Sequence, residues 1–244
     1  DEVRIKENAL EILEEELKSK GLKGVVSFGT LSDPYNPEEK ELELTRNALK
    51  LIAKYKFGVS IDTKSDLILR DIDLLQEISE YNNVIIKISI TTYDDELARK
   101  LEPNVITSTK RFQVLKILRQ NNLYAGVLMT PVLPFLTDTE ENITNMILKS
   151  KESDAKFIYT KMGMTLKTNQ RDYYYKALDV LYPGLKEDYI AVYGSKHICN
   201  SLHYRHLMEL YLKMCSENNL LTDMDAIIED YKKEIPQNEQ MSLF

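Results

Sequence analysis

The stretch VVSFGTLSDPYNPE, residues 25–38, decides how this chain folds. Its first four residues are a short apolar run of the kind found in buried strands, and Gly29 ends the run. A long polar loop stiffened by Pro34 and Pro37 follows. A buried strand that passes into such a loop is typical of parallel α/β sheets, in which the loops after the strands carry the chemistry.

Outward from this stretch, the apolar pattern alternates between helical and strand spacing. Helices are predicted over 4–19, 43–56, 66–80, 94–101, 109–121 and 139–151, and strands over 25–28, 59–61, 84–90, 124–129 and 157–159. Strands separated by helices predict parallel pairing through right-handed crossovers. Five strands are too few for a closed eight-stranded barrel, so we expect an α/β fold with an open or partial barrel.

The chain divides by pattern into three parts. We expect the partial barrel over residues 1–165 and a helical extension over 166–233, with helices near 168–181, 201–217 and 223–232. Residues 234–244 are polar around Pro236 and are predicted to form a flexible tail.

Composition excludes several classes of protein. The net charge of −7 argues against coating a DNA duplex by charge alone, although residues 149–176 carry seven basic against three acidic residues. That segment is either a solvated helix face or a local basic face. Cys199 and Cys215 are the two cysteines; they exclude a disulfide framework and predict a reducing, cytoplasmic location. No apolar run reaches the roughly 20 residues of a membrane span.

Polar side chains follow successive predicted strands, and they include Ser32, Lys64, Ser89 and Thr130. At the mouth of one barrel they would form a polar ring suited to a small zwitterion with hydroxyls and an anionic end. A strand-end lysine binds either a carboxylate or a phosphate. An ordinary barrel enzyme that holds a phosphorylated metabolite through Lys64 is therefore one alternative.

Several ordered motifs carry a resemblance to a family. They are Gly-x-x-x-Asp-Pro-Tyr-Asn-Pro-x-Glu (29–39), Thr-Arg (45–46), Thr-Lys-Ser-x-x-x-x-Arg-Asp (63–71), Ser-x-x-Thr (89–92), Leu-Glu-Pro-Asn (101–104) and Pro-x-x-Pro (131–134). From about Val3 to Leu221, the chain resembles radical S-adenosylmethionine proteins of the spore photoproduct lyase type, which are described as DNA-repair photolyase-like. The resemblance implies a partial (β/α)6 barrel, of which our five strands would be strands two to six.

The resemblance also implies cofactors. The family holds a [4Fe–4S] cluster on a Cys-x-x-x-Cys-x-x-Cys loop after its first strand and cleaves S-adenosylmethionine to a 5′-deoxyadenosyl radical. This chain lacks that motif, and Cys199 and Cys215 are too far apart to replace it. We therefore expect the first strand and the cluster cysteines upstream of Asp1. The 244 residues alone are then expected neither to hold the cluster nor to perform radical chemistry.

Residue roles are carried over position by position. By the resemblance, Ser32, Lys64 and Ser89 contact S-adenosylmethionine, and Thr130 lies near its adenine. Four further residues are expected to brace the site: Asp33, Arg70, Asp71 and Glu102. Thr30 stands where the lyase has the cysteine that returns a hydrogen atom to the product. Because a threonine O–H bond is too strong for that role, a different substrate or a tyrosine donor is expected.

The last five residues, Gln240-Met241-Ser242-Leu243-Phe244, resemble the Gln-Leu-Ser/Asp-Leu-Phe motif with which bacterial DNA enzymes bind the sliding clamp. Leu243 and Phe244 would fill a pocket while Gln240 sets the register. The full-length protein is then expected to be a radical S-adenosylmethionine enzyme that acts on a nucleic-acid lesion, with DNA as substrate and the clamp as partner. The competing hypothesis is a non-catalytic adaptor that docks on the clamp with a degenerate barrel.

Two clusters near the end of the chain have ordinary explanations. The three histidines and two cysteines all lie within residues 197–215, but their spacing matches no common zinc module. Tyrosines are frequent from Tyr173 to Tyr193; they could stack on extruded bases, although packing of the helical extension explains them more simply.

Overall fold

The computed structural model describes residues 6–233 of the chain. Within them, a central sheet of five strands is parallel throughout and has the order β1-β2-β3-β4-β5. The strands are β1 (Val25–Phe28), β2 (Gly58–Thr63), β3 (Val84–Ser89), β4 (Ala125–Met129) and β5 (Ile158–Thr160). The predicted parallel α/β architecture is confirmed, and each predicted strand is present with a shift of at most two residues at either end.

Helices connect the strands and cover one face of the sheet. They are α1 (Ala9–Ser19), α2 (Glu39–Leu42), α3 (Leu44–Lys54), α4 (Ile72–Ser79), α5 (Asp95–Leu101), α6 (Ser108–Gln120) and α7 (Glu140–Glu152), with a 3-10 helix at Asp66–Asp71. The predicted helix over 66–80 is therefore 3-10 helix followed by α-helix. Across the described residues, no helix is both long and apolar enough to cross a membrane.

The two faces of the sheet differ in polarity. On the outer face, Val59, Ile61 and Ile86 are fully buried and pack in one core with the helices. On the inner face, Ser60 and Asp62 of β2 are only half-buried. Parallel sheets ordinarily bury apolar residues on both faces, so the polar inner face sets this sheet apart and indicates a site.

The segment after β5 contains elements that periodicity did not predict. A short antiparallel pair joins β6 (Gly163–Thr165) to β7 (Ile198–Asn200), and α9 (Leu185–Tyr193) lies between α8 (Thr168–Leu181) and β7. The strands β6 and β7 contain no continuous apolar run that would mark them, and Gly184, at φ +95°, precedes a new helix in a segment for which no element was predicted. Arg171 donates to the carbonyls of Leu166, Gly194 and Lys196 and so ties these pieces together.

The tyrosine-rich segment packs into a core of its own. Tyr189 is fully buried and its hydroxyl donates to the carbonyl of Pro134 at 2.8 Å, while the hydroxyl of Tyr174 donates to Tyr189 at 3.0 Å. Burial raises the pKa of Tyr174 to about 12. Tyr173 is 80% exposed and remains available for stacking. Packing therefore accounts for most of this cluster.

The last described helix closes the amino-terminal half of the inner face. After α10 (Tyr204–Glu217), α11 (Met224–Lys233) inserts Ile227 and Tyr231 against Tyr124 and Phe157. The Tyr124 hydroxyl also donates to Asp230 at 2.8 Å. This end of the inner face is thus filled with apolar side chains, whereas a cavity lies toward the carboxyl ends of the strands.

Gly29→Ala is expected to lower the free energy of unfolding by roughly 1–3 kcal/mol. Gly29 has φ +93°, and a Cβ there would lie 2.1 Å from the Asp62 carbonyl oxygen. Gly21→Ala is the matched control, since a Cβ at Gly21 meets nothing within 4 Å. Urea unfolding of both variants checks this; equal stabilities would contradict it.

Candidate functional site

The four residues predicted to contact a cofactor line one cavity at the carboxyl edge of the sheet. Ser32, Lys64, Ser89 and Thr130 all border this space, which has a volume of about 360 Å³. We call it the strand-end cavity; its lining also includes Gly29, Thr30, Leu31, Asp33, Asp62, Thr63 and Leu128. The sequence placed these residues on four different loops or strands, and the fold brings them together. Their role toward a ligand stays a prediction.

Asp33 joins the loop after β1 to the end of β2. Its Oδ1 accepts hydrogen bonds from the Tyr35 backbone N–H at 2.9 Å and from the Thr63 hydroxyl at 2.7 Å. Its Oδ2 accepts from the Lys64 backbone N–H at 2.8 Å. These hydrogen bonds hold the loop after β1 against the end of β2. Ser32, in that loop, and Lys64, after β2, therefore border the same cavity.

Glu102 lies between two cations, one of which, Lys64, lines the strand-end cavity. Its Oε1 is 2.5 Å from Lys64 Nζ, and its Oε2 accepts a hydrogen bond from Arg111 Nη1 at 2.7 Å. The same Arg111 nitrogen donates to the carbonyl of Ser89 at 2.9 Å. Burial alone would raise the pKa of Glu102, but the charges of Lys64 and Arg111 outweigh it and lower that pKa. Glu102 therefore holds Lys64 beside Ser89.

Arg70 and Asp71 lie behind the cavity in a network of charges. Arg70 donates to Glu39 at 2.6 Å and to Asp71 at 2.9 Å, and Arg46 donates to Asp71 at 2.7 Å. Glu39 also accepts from the backbone N–H of Thr45. This network fastens the end of the loop after β1 to the 3-10 helix, an arrangement consistent with bracing.

Sequence reasoning missed four residues that belong to this region. Arg111 is 1% exposed, although an arginine in a helix is expected to lie on the surface. Glu39, which ends the motif at 29–39, was given no role of its own and is 3% exposed. Asp62 and its ion-pair partner Lys87 lie on the inner face of the sheet. Asp62 was detectable, since it directly follows the predicted strand over 59–61 and precedes Lys64 by two residues, so that the two share a face where the strand continues.

The cysteines do not fit an iron–sulfur cluster. Cys199 lies in the tyrosine core and Cys215 in the main core, so the two are not neighbours. Cluster ligands are thiolates, whereas burial raises the pKa of both thiols, that of Cys215 to about 12. Within residues 6–233, no group of three or more His, Cys, Asp or Glu side chains could hold a metal ion.

The strand-end cavity fits S-adenosylmethionine by its donor set. Lys64 is a cation for a carboxylate, and the hydroxyls of Ser32, Ser89 and Thr130 can pair with amino and ribose groups.

Two further features of the sequence were the basic segment over 149–176 and the motif at the end of the chain. Among the basic residues of 149–176, Lys149 and Lys156 precede β5, Lys161 follows it and Lys176 lies in α8. Gln240, Leu243 and Phe244 lie outside the described residues.

The chain belongs to the radical SAM superfamily, whose family model matches residues 1–147. It is 36% identical over 138 residues to an uncharacterized protein of Methanocaldococcus jannaschii, covering 57% of this chain and 50% of that protein. It is 28% identical over 193 residues to an uncharacterized protein of Mycobacterium tuberculosis, covering 79% and 56%. The chain thus spans about half the length of the curated relatives it matches.

Solved structures of low sequence identity share its fold. Spore photoproduct lyase complexed with dinucleoside spore photoproduct superposes with a TM-score of 0.61 at 10% identity, covering 87% of this chain and 64% of that one. Streptococcus suis SuiB bound to S-adenosylmethionine gives 0.53 at 13% identity, covering 96% and 47%. The expected partial barrel of this superfamily is therefore confirmed.

Glu102→Gln is expected to lower the free energy of unfolding by about 2 kcal/mol at neutral pH, because Arg111 loses its buried partner. Since the pKa of Glu102 is lowered in the folded state, its contribution is present above its ordinary value of 4.5 and is lost as the pH falls through the folded value. The gap between the variant and the wild-type chain should therefore close in acid. Urea unfolding against pH checks this, with the exposed Glu209→Gln as control; a pH-independent gap would contradict it.

Proposed function

We propose that this chain is the S-adenosylmethionine-binding part of a radical S-adenosylmethionine enzyme that acts on a nucleic-acid lesion. The observation that carries the proposal is the convergence of Ser32, Lys64, Ser89 and Thr130 on one cavity. Superfamily membership independently implies S-adenosylmethionine and a [4Fe–4S] cluster as cofactors.

Each side chain of the cavity has a defined task in this proposal. Lys64, held by Glu102, binds the ligand's carboxylate, and Ser32 and Ser89 accept from or donate to its amino and hydroxyl groups. Asp33 fixes the loop that carries Ser32. When bound, the cofactor supplies a carbon-centred radical; these residues bind it and orient it.

The cluster cysteines are proposed to lie in the whole protein outside these 244 residues. The two thiols of this chain are buried in separate cores and do not fit the cluster. The curated relatives are about twice as long as the matched region, which leaves room for such a motif. Formation of 5′-deoxyadenosine by the full-length protein tests this.

A nucleic-acid substrate is supported by two observations. A spore photoproduct lyase of the same fold was solved with a dinucleoside spore photoproduct. A second cavity of about 630 Å³ shares Asp33 and Lys64 with the strand-end cavity and is also lined by Tyr35, Lys40 and Asn104. The two lysines and the amide of Asn104 suit the phosphate and the base edge of a nucleotide.

Lys64→Met is expected to weaken binding of S-adenosylhomocysteine at least tenfold, since a charge-assisted hydrogen bond contributes about 1.5–3 kcal/mol. Titration calorimetry of the 244-residue chain measures this, with Lys50→Met on the exposed face of α3 as control. Equal affinities of wild type and Lys64→Met would contradict the proposed site. Displacement of the ligand by inorganic phosphate would favour the phosphorylated-metabolite enzyme instead.

A peptide of residues 234–244 is expected to bind a bacterial sliding clamp with micromolar affinity, because Leu243 and Phe244 supply two apolar anchors. Fluorescence anisotropy measures this, with the Leu243→Ala, Phe244→Ala peptide as control. No binding at about 1 mM peptide would exclude the clamp as partner. Clamp binding by a full-length protein that does not bind S-adenosylmethionine would favour the adaptor.

A further inference from the structure

A further cavity, of about 370 Å³, lies between the loop that follows β4 and the start of α10. We call it the α10 cavity. It shares no lining residue with the strand-end cavity. The apolar part of its lining consists of Phe135, Leu202 and Leu207, and Leu202 is 58% exposed. A volume of this size lies within the range of sites for small molecules.

Asp138 contributes a buried carboxyl group to this lining. The residue is 7% exposed, and its Oδ2 accepts a hydrogen bond from the Ser201 hydroxyl at 2.7 Å. Burial raises the pKa of Asp138, and the Ser201 hydrogen bond opposes that change. Within residues 6–233, no cation forms an ion pair with this carboxylate. Buried charges are ordinarily paired, so Asp138 lacks the partner that such a group usually has.

Glu140 adds a second carboxylate to the same cavity. It is the first residue of α7, its side chain is 67% exposed, and its Oε1 lies 2.7 Å from Nε2 of His206. His203 and His206 also line the cavity. Because an imidazole is mostly uncharged at neutral pH, the two carboxylates give the cavity a negative charge.

This charge restricts the class of ligand. Phosphates and carboxylates would be repelled by Asp138 and Glu140, so the cavity does not suit a nucleotide. In the part of the chain that the structure describes, no three acidic, histidine or cysteine groups could hold a metal ion. A neutral ligand would leave the buried carboxylate without a counter-charge. An organic cation with an apolar part satisfies both the carboxylates and the leucines.

We propose that the α10 cavity binds a small primary alkylammonium ion. The ammonium group has three N–H donors, so it can donate to Asp138 and to Glu140 at once. Its carbon chain packs on the apolar lining, which is Phe135, Leu202 and Leu207. The inference is independent of the proposed function, because the two cavities share no residue.

The test is an NMR titration of the 244-residue chain with n-butylammonium and with n-butanol, which have nearly the same shape and differ in charge. Wild type should bind n-butylammonium at least tenfold more tightly than n-butanol, since hydrogen bonds to charged groups are the stronger ones. Asp138→Asn keeps an acceptor for Ser201 but removes the charge. In this variant the preference should fall to about threefold or less.

Glu140→Lys separates recognition from folding, because Glu140 is exposed. It should abolish binding of n-butylammonium, whereas the control Glu152→Lys, at the far end of α7, should leave it unchanged. If Asp138→Asn does not fold, Glu140→Lys decides.

Three results would overturn the inference. They are equal affinities of wild type for n-butylammonium and n-butanol, wild-type affinity in a folded Asp138→Asn, and no binding by wild type at about 10 mM n-butylammonium. Much tighter binding of Nα-acetyl-lysine methylamide than of n-butylammonium would also overturn the free amine as ligand, since the cavity would then take a lysine side chain of a partner protein.

Discussion

The carboxylate of Asp33 is the contact on which the arrangement at the strand ends depends. It accepts three hydrogen bonds, two of them from the end of β2, and so holds the loop after β1 against its neighbour strand. Gly29 allows the approach, since its φ of +93° and missing Cβ let the chain pass beside the Asp62 carbonyl. The Asp33 hydrogen bonds and the close approach at Gly29 together keep Ser32 and Lys64 beside one cavity.

Ion pairs hold the other polar side chains around the strand-end cavity. Glu102 holds Lys64 at the mouth of the cavity, and Arg111 in turn anchors Glu102 from a fully buried position. One step deeper, Lys87 pairs with Asp62. Behind the loop, Arg46 and Arg70 tie Glu39 to Asp71. The carboxyl half of the barrel is thus built by paired charges, while its amino half is filled by apolar side chains.

The fold was largely predictable because the central strands contain clustered apolar residues and the helices between them show an apolar period. The strands from Val25 to Tyr159 and their connecting helices follow directly from apolar spacing. The strands β6 and β7 and the helix α9 were not, since β6 and β7 contain no continuous apolar run and α9 buries two tyrosines in place of an aliphatic stripe. Their pairing depends on contacts between residues more than 30 positions apart.

Some residues of the candidate site were predictable from the sequence and others were not. Ser32, Lys64, Ser89 and Thr130 were predictable because side chains that follow parallel strands must meet at one edge. Arg111 and Lys87 were not, since a cation is surface-exposed by default and becomes a buried partner only where a carboxylate from another element meets it.

By itself, the sequence determined the parallel α/β class, the superfamily motifs and the polar residues at the strand ends, because these follow from local spacing and residue chemistry. The tertiary structure alone decided which charges pair, which end of the barrel is filled and how deep the cavity runs. Those properties depend on distances between segments far apart in the chain, and no local pattern encodes such distances.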